Sequence, residues 1–124
     1  MNIPNGHQAL MPYLILQHAP AFIEFTTEVF GATAGTKHFR DDGVTIMHAE
    51  ISLSGSTIMV AEATADFKPQ TANMFVYVDD ADQTFEKAVT AGGSVAMELS
   101  DKDYGRTCGI TDPFGNVWWI TSVS

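Results

Sequence analysis

The chain has 124 residues, 45% hydrophobic and 17% charged, which excludes a disordered or fibrous polypeptide. Six Lys and Arg against 15 Asp and Glu give a formal charge of −9 with no basic stripe, so nucleic acid and anionic membranes are poor partners. The lone cysteine, Cys108, permits neither an internal disulfide nor a zinc–thiolate site.

Residues 1–10 have neither the positive n-region nor the apolar h-region of a secretory signal. No apolar run approaches the roughly 20 residues of a membrane helix, so the expected compartment is a reducing cytoplasm. Pro12 to Gln17 is the first predicted strand. Ala19 to Phe30 then places Ala19, Phe22, Ile23, Thr26, Val29 and Phe30 on one helical face, with Pro20 in the first turn and Gly31 as the stop. A weaker strand near Thr36 to Arg40 follows. Val44 to Leu53 and Thr57 to Ala61 are strands bounded by Asp41-Asp42-Gly43 and Ser54-Gly55-Ser56.

The second half repeats this order. Met74 to Val78 is a strand, and Ala81 to Ala91 a helix with Asp79 or Asp80 as N-cap and Gly92-Gly93 at its end. Ser94 to Met97, Arg106 to Thr111 and Val117 to Thr121 are strands, the last two joined by the turn Asp112-Pro113-Phe114-Gly115-Asn116. An offset of 62 lays Gly31 on Gly93 and Ala19 on Ala81, and an offset of 60 lays Gly55 on Gly115. Residues 1–124 therefore form one expected domain: module one about 10–62, a linker about 63–72 and module two about 73–122. Neither half is large enough for a comfortable core alone.

Two βαβββ units in tandem resemble the vicinal oxygen chelate superfamily of glyoxalases, extradiol dioxygenases, and fosfomycin- and bleomycin-resistance proteins. Pro12–Ile15 (PYLI), Val29–Ala32 (VFGA), His48–Ile51 (HAEI), Tyr77–Asp82 (YVDDAD), Tyr104–Arg106 (YGR) and Asp112–Ile120 (DPFGNVWWI) resemble its PhnB-like branch. The resemblance covers nearly the whole chain from about Leu10. It implies an α+β fold: two βαβββ modules forming a curled eight-stranded mixed sheet, a cup with both helices on its convex side. It also implies a homodimer.

Period-2 alternation then assigns faces. Met47, Ala49, Ile51 and Leu53 should meet the helices. His48, Glu50, Asn73, Phe75 and Tyr77 should enter the cup, with Tyr13, Met59, Arg106, Cys108 and Trp119 beside them. A mostly apolar and aromatic lining with a few polar groups suits a small molecule.

Metal-dependent members of the superfamily carry His, Gln or Glu at positions that fall here on Met11, Met59, Asn73 and Trp119. None of these is a strong ligand for a hard divalent ion, so no metal and no cofactor is expected. The resemblance thus implies a protein that binds a small organic ligand, cationic or aromatic, using Tyr13, Phe75, Tyr77, Arg106 and Trp119. The alternative is a lyase, isomerase or dioxygenase acting on a small oxygenated substrate. It would use an atypical metal site, or His48 and Glu50 as acid–base groups with Arg106 as an anion clamp. A third possibility is an interaction domain whose cup is plugged by Met59 and Trp119. Cys108 is expected to be inert, and His7, His18 and His38 to lie at the surface.

Overall fold

In the computed structural model, which describes residues 1–124, the chain runs β1 (Tyr13–Leu16), α1 (Ala19–Phe30), β2 (Thr33–Phe39), β3 (Ile46–Leu53), β4 (Ser56–Glu62), β5 (Asn73–Tyr77), α2 (Ala81–Thr90), β6 (Ser94–Lys102), β7 (Gly105–Thr111) and β8 (Val117–Ser122). The order βαβββ occurs twice. The eight strands divide between two mixed four-stranded sheets, ordered β1-β4-β3-β2 and β5-β8-β7-β6. In each, the first strand of the module runs parallel to the last, and the remaining pairs are antiparallel. Backbone proximity groups residues 1–27 with 31–70, and residues 28–30 with 71–124.

In the first unit, Leu14, Leu16, Ala49, Ile51, Leu53, Ile58 and Val60 are buried. Tyr13 and Met47 on the same strands are about half exposed. The α1 N-terminus is closed from far away in sequence. His18 sits in the left-handed region (φ 64°) without a side-chain cap of its own. Instead Glu62, at the end of β4, accepts from the backbone N–H of His18 (2.9 Å) and of Ala19 (2.8 Å). A carboxylate there satisfies two orphan donors and complements the helix dipole. At the other end Gly31 (φ 67°) donates to the Thr27 carbonyl and Ala32 to that of Thr26, a left-handed stop that glycine adopts without strain.

In the second unit Asp80 caps α2, its side chain accepting from the Gln83 N–H. β6 continues five residues past the expected end at Met97, pairing Ser100, Asp101 and Lys102 with Thr107, Arg106 and Gly105. The extension carries no hydrophobic signal because an edge strand has no second buried face to fill. The turn after β7 is pinned by a buried carboxylate. Asp112, only 4% exposed, accepts from the Phe114 and Asn116 backbone N–H groups, the Asn116 side-chain amide and the Trp118 indole N–H, all at 2.8–3.0 Å. Asn116 in turn accepts from the Ala72 N–H at 3.0 Å, tying the start of β5 to the same turn. Phe30, in the last turn of α1, packs on the Trp118 ring with centroids 4.5 Å apart.

Replacing Asp112 by Ala leaves these donors without an acceptor in a buried place. Each such group costs about 1–3 kcal/mol, so the variant should lose about 3 kcal/mol or more in urea unfolding. Asp112→Asn, which keeps one carbonyl acceptor, should lose less.

Candidate functional site

Each sheet has an open face, and the two differ in chemistry. Across β1, β4 and β3 the register sets Tyr13 opposite Met59 and Met59 opposite Glu50. Those three side chains therefore share the face away from the buried residues. Glu50 is the centre of a polar chain. The His7 Nε2–H donates to Glu50 Oε1 at 2.9 Å, and the His48 Nε2–H to Glu50 Oε2 at 3.4 Å. With its Nε2 proton committed to Glu50, a neutral His48 presents Nδ1 as an acceptor to the Tyr13 hydroxyl, 3.2 Å away. His38 stands opposite His48 on β2, with ring centroids 6.2 Å apart. The arrangement orients the Tyr13 hydroxyl toward the His48 ring and that ring toward a carboxylate. His7 sits at this chain and not free on the surface, contrary to the sequence expectation. Residues 6–8 are held there because Gln8 bonds both backbone groups of Thr57 and the Gly6 carbonyl accepts from the Thr57 hydroxyl.

The hydrogen bond from His7 is the main cause that holds the Glu50 carboxyl below its ordinary 4.5; partial burial opposes it, and His48 adds to it.

A groove of about 400 Å³ adjoins this face, lined by Tyr13, Ile15, Arg40, Met47, Ala61, Glu62 and Phe67. Met47 is a correction to the face assignment. The β2–β3 ladder shifts register between His38–His48 and Phe39–Ile46. This bulge reverses the alternation, burying Ile46 and turning Met47 into the groove.

The second sheet presents aromatic rings. Phe75, Trp119, Gly109 and Met97 are register partners across β5, β8, β7 and β6. A Cβ on Gly109 would lie 2.5 Å from the Trp119 ring, so the indole lies flat on the β7 backbone, where only glycine leaves room. Its N–H donates to the Asn73 side-chain oxygen at 3.1 Å. Phe75 meets Tyr77 edge-on at 5.3 Å and Tyr104 at 6.4 Å. These three rings are 52%, 63% and 50% exposed. Tyr104, in the β6–β7 turn, was not among the expected site residues. Its place beside Phe75 depends on the β6 extension.

Arg106 and Cys108 do not share this face. Gly109, not Cys108, stands opposite Trp119, while Cys108 pairs with Ile120 and is fully buried. Burial pushes its thiol up to about 11, which suits an inert group. Arg106 lies on the α2 side, its Nε and Nη2 donating to the Asp82 carboxylate at 2.9 and 3.2 Å and Nη1 3.5 Å from Asp101. The two ion pairs, Asp82 first, raise the Arg106 pKa and hold its charge there, so it is no anion clamp beside Trp119.

The family model described as Glyoxalase/Bleomycin resistance protein/Dioxygenase superfamily matches residues 7–120. The chain belongs to this superfamily. Among curated proteins, the uncharacterized protein Mb0911c of Mycobacterium bovis is 29% identical over 126 residues, covering 92% of this chain and 82% of that protein. Among solved structures, TioX from Micromonospora sp. ML1 is 22% identical with a TM-score of 0.73, covering 94% of this chain and 97% of its own. TnmS3, an antibiotic binding protein from Streptomyces sp. CB03234, is 17% identical with a TM-score of 0.72, covering 95% and 100%. A PhnB protein from Bacillus cereus is 18% identical with a TM-score of 0.72, covering 94% and 100%. These structural likenesses are likenesses of fold.

The superfamily includes metal-dependent members, but the residues present here do not fit a divalent ion. The positions that the family resemblance makes equivalent to metal ligands hold Met11, Met59, Asn73 and Trp119, and the one hard oxygen among their side chains, on Asn73, accepts from the Trp119 indole. No three His, Cys, Asp or Glu side chains are grouped to hold a metal ion. No helix is long and apolar enough to cross a membrane.

The depressed Glu50 pKa implies a pH dependence of stability. Its contribution is fully present above the ordinary value of 4.5 and is lost as pH falls through the lower folded value. Thermal unfolding followed from pH 6 to pH 3 should show an acid-side loss that Glu50→Gln reduces, and His7→Ala should remove a larger share of it than His48→Ala.

Proposed function

We propose that this chain binds a small organic ligand, with a planar aromatic part, on the open face of its second sheet. The Trp119–Asn73 hydrogen bond carries the reading. By the family resemblance it takes up two positions where metal-dependent members need donors, and it fixes a partly exposed indole against Gly109. Phe75, Tyr77 and Tyr104 extend that surface, and aromatic faces with restrained rotamers bind planar groups at low entropic cost. The charge of −9 favours a cationic ligand. The description of TnmS3 as an antibiotic binding protein supports a sequestering role in this fold, as an analogy.

The test is fluorescence titration with proflavine, a planar aromatic cation. Saturable binding is expected. Alanine at Trp119 or Phe75 should weaken it about 5- to 150-fold, corresponding to about 1–3 kcal/mol for a stacked ring. No saturable binding, or affinity unchanged in both variants, would remove the proposal.

The same reading includes a homodimer in a reducing cytoplasm. Every residue of the edge strand β2 is exposed, which leaves a free ladder for a second chain. Sedimentation should give a particle twice the 13.4 kDa chain mass, and single chains at all concentrations would contradict it.

A further inference from the structure

We propose that the groove on the first sheet binds a small organic anion, a carboxylate on an aryl or alkyl body, with Arg40 as its anchor. The proposal is argued from residues of the first unit alone and goes beyond the Trp119 reading.

The groove of about 400 Å³ is of ligand size, and Tyr13, Ile15, Met47, Ala61 and Phe67 make most of its wall apolar. Only two charged side chains line it. Glu62 is already used, each of its oxygens accepting one backbone N–H at the start of α1. Arg40 is not. Its Nε is buried and has no hydrogen-bond partner. Asp42, two residues on, feels the Arg40 charge but makes no ion pair with it, turning both oxygens into its own loop, where they accept from the Val44 and Thr45 N–H groups and from the Thr45 hydroxyl. A chain with 15 acids and six Lys and Arg thus leaves one guanidinium beside an apolar groove without a carboxylate in contact.

Buried donors are nearly always paired, and an unpaired Nε shows that the protein itself leaves the Arg40 guanidinium short of hydrogen bonds, so its remaining N–H groups are the ones left for a ligand. A guanidinium presents parallel N–H groups that match a carboxylate bidentately. The apolar wall then selects for the body of the ligand. The overall negative charge opposes an anion at long range, but this is screened beyond about 8 Å at physiological salt, so contact with Arg40 decides.

The experiment is calorimetric titration of the full chain with 1-naphthoate, its uncharged counterpart 1-naphthamide, and octanoate. Both carboxylates should bind, and naphthoate should bind at least ~10-fold more tightly than the amide, as expected for a charge-assisted pair. Arg40→Gln should erase that preference and leave naphthamide affinity unchanged. Arg40→Lys should restore part of it. Phe67→Ala, at a largely exposed position, should weaken all three. Trp119→Ala should leave binding of octanoate, which has no ring to stack, unchanged, and Arg40→Gln should leave proflavine binding unchanged. Failure of either carboxylate to bind, equal affinity for naphthoate and naphthamide, a preference that survives Arg40→Gln, or octanoate binding lost in Trp119→Ala would each overturn the proposal. Loss of proflavine binding alone would overturn the Trp119 reading and leave this one standing.

Discussion

The Asp112 carboxylate is the constraint on which the second sheet and its face depend. It is buried, it accepts four hydrogen bonds, and one comes from the Trp118 indole. That bond holds Trp118 inward, at 1% exposure, and strand alternation then sends Trp119 outward. Asn116, bonded to Asp112, also holds the Ala72 N–H, so the residue before Asn73 is fixed by the same turn. Both partners of the Trp119–Asn73 bond are therefore placed by one buried carboxylate. The open face is rigid at its floor for that reason, and its exposed rings stand on a positioned base.

The two sheets repeat a backbone plan but not a chemistry. The first carries the chain from Tyr13 through His48 and Glu50 to His7, together with the apolar groove and Arg40. The second carries Phe75, Tyr77, Tyr104 and Trp119, with no carboxylate, imidazole, amine or guanidinium among them. At the positions where the resemblance implies hard donors in metal-dependent members, this chain has thioethers, an amide and an indole. A thioether is a soft ligand and an indole N–H only donates, so the change is one of chemical kind and not of geometry.

Much of the fold was legible in the sequence because its signals are local. α1 matched its expected span, Ala19–Phe30, since Pro20, the apolar period and Gly31 all lie within it. The faces of β5 and β8 followed from alternation, which placed Phe75, Tyr77 and Trp119 outward. β7 failed for a physical reason. Thr107, Cys108, Gly109 and Ile110 are all buried, so the strand shows no in–out pattern, and only its register against β8 decides that Gly109 meets Trp119. That one-residue question moved Arg106 and Cys108 to the α2 side. Met47 was misplaced by a bulge, which leaves no mark on hydrophobic periodicity. His7 at Glu50 and Glu62 at the α1 N-terminus are contacts across more than 40 residues, beyond the reach of local pattern.

The central claim is that the open face of this superfamily member is built for an organic ligand and not for a divalent ion. Elemental analysis tests it most directly, on protein purified without chelator or affinity metal and then dialysed against zinc, nickel, manganese and iron. The account predicts far less than one ion per chain for every metal. A near-stoichiometric ion that survives dialysis would contradict it.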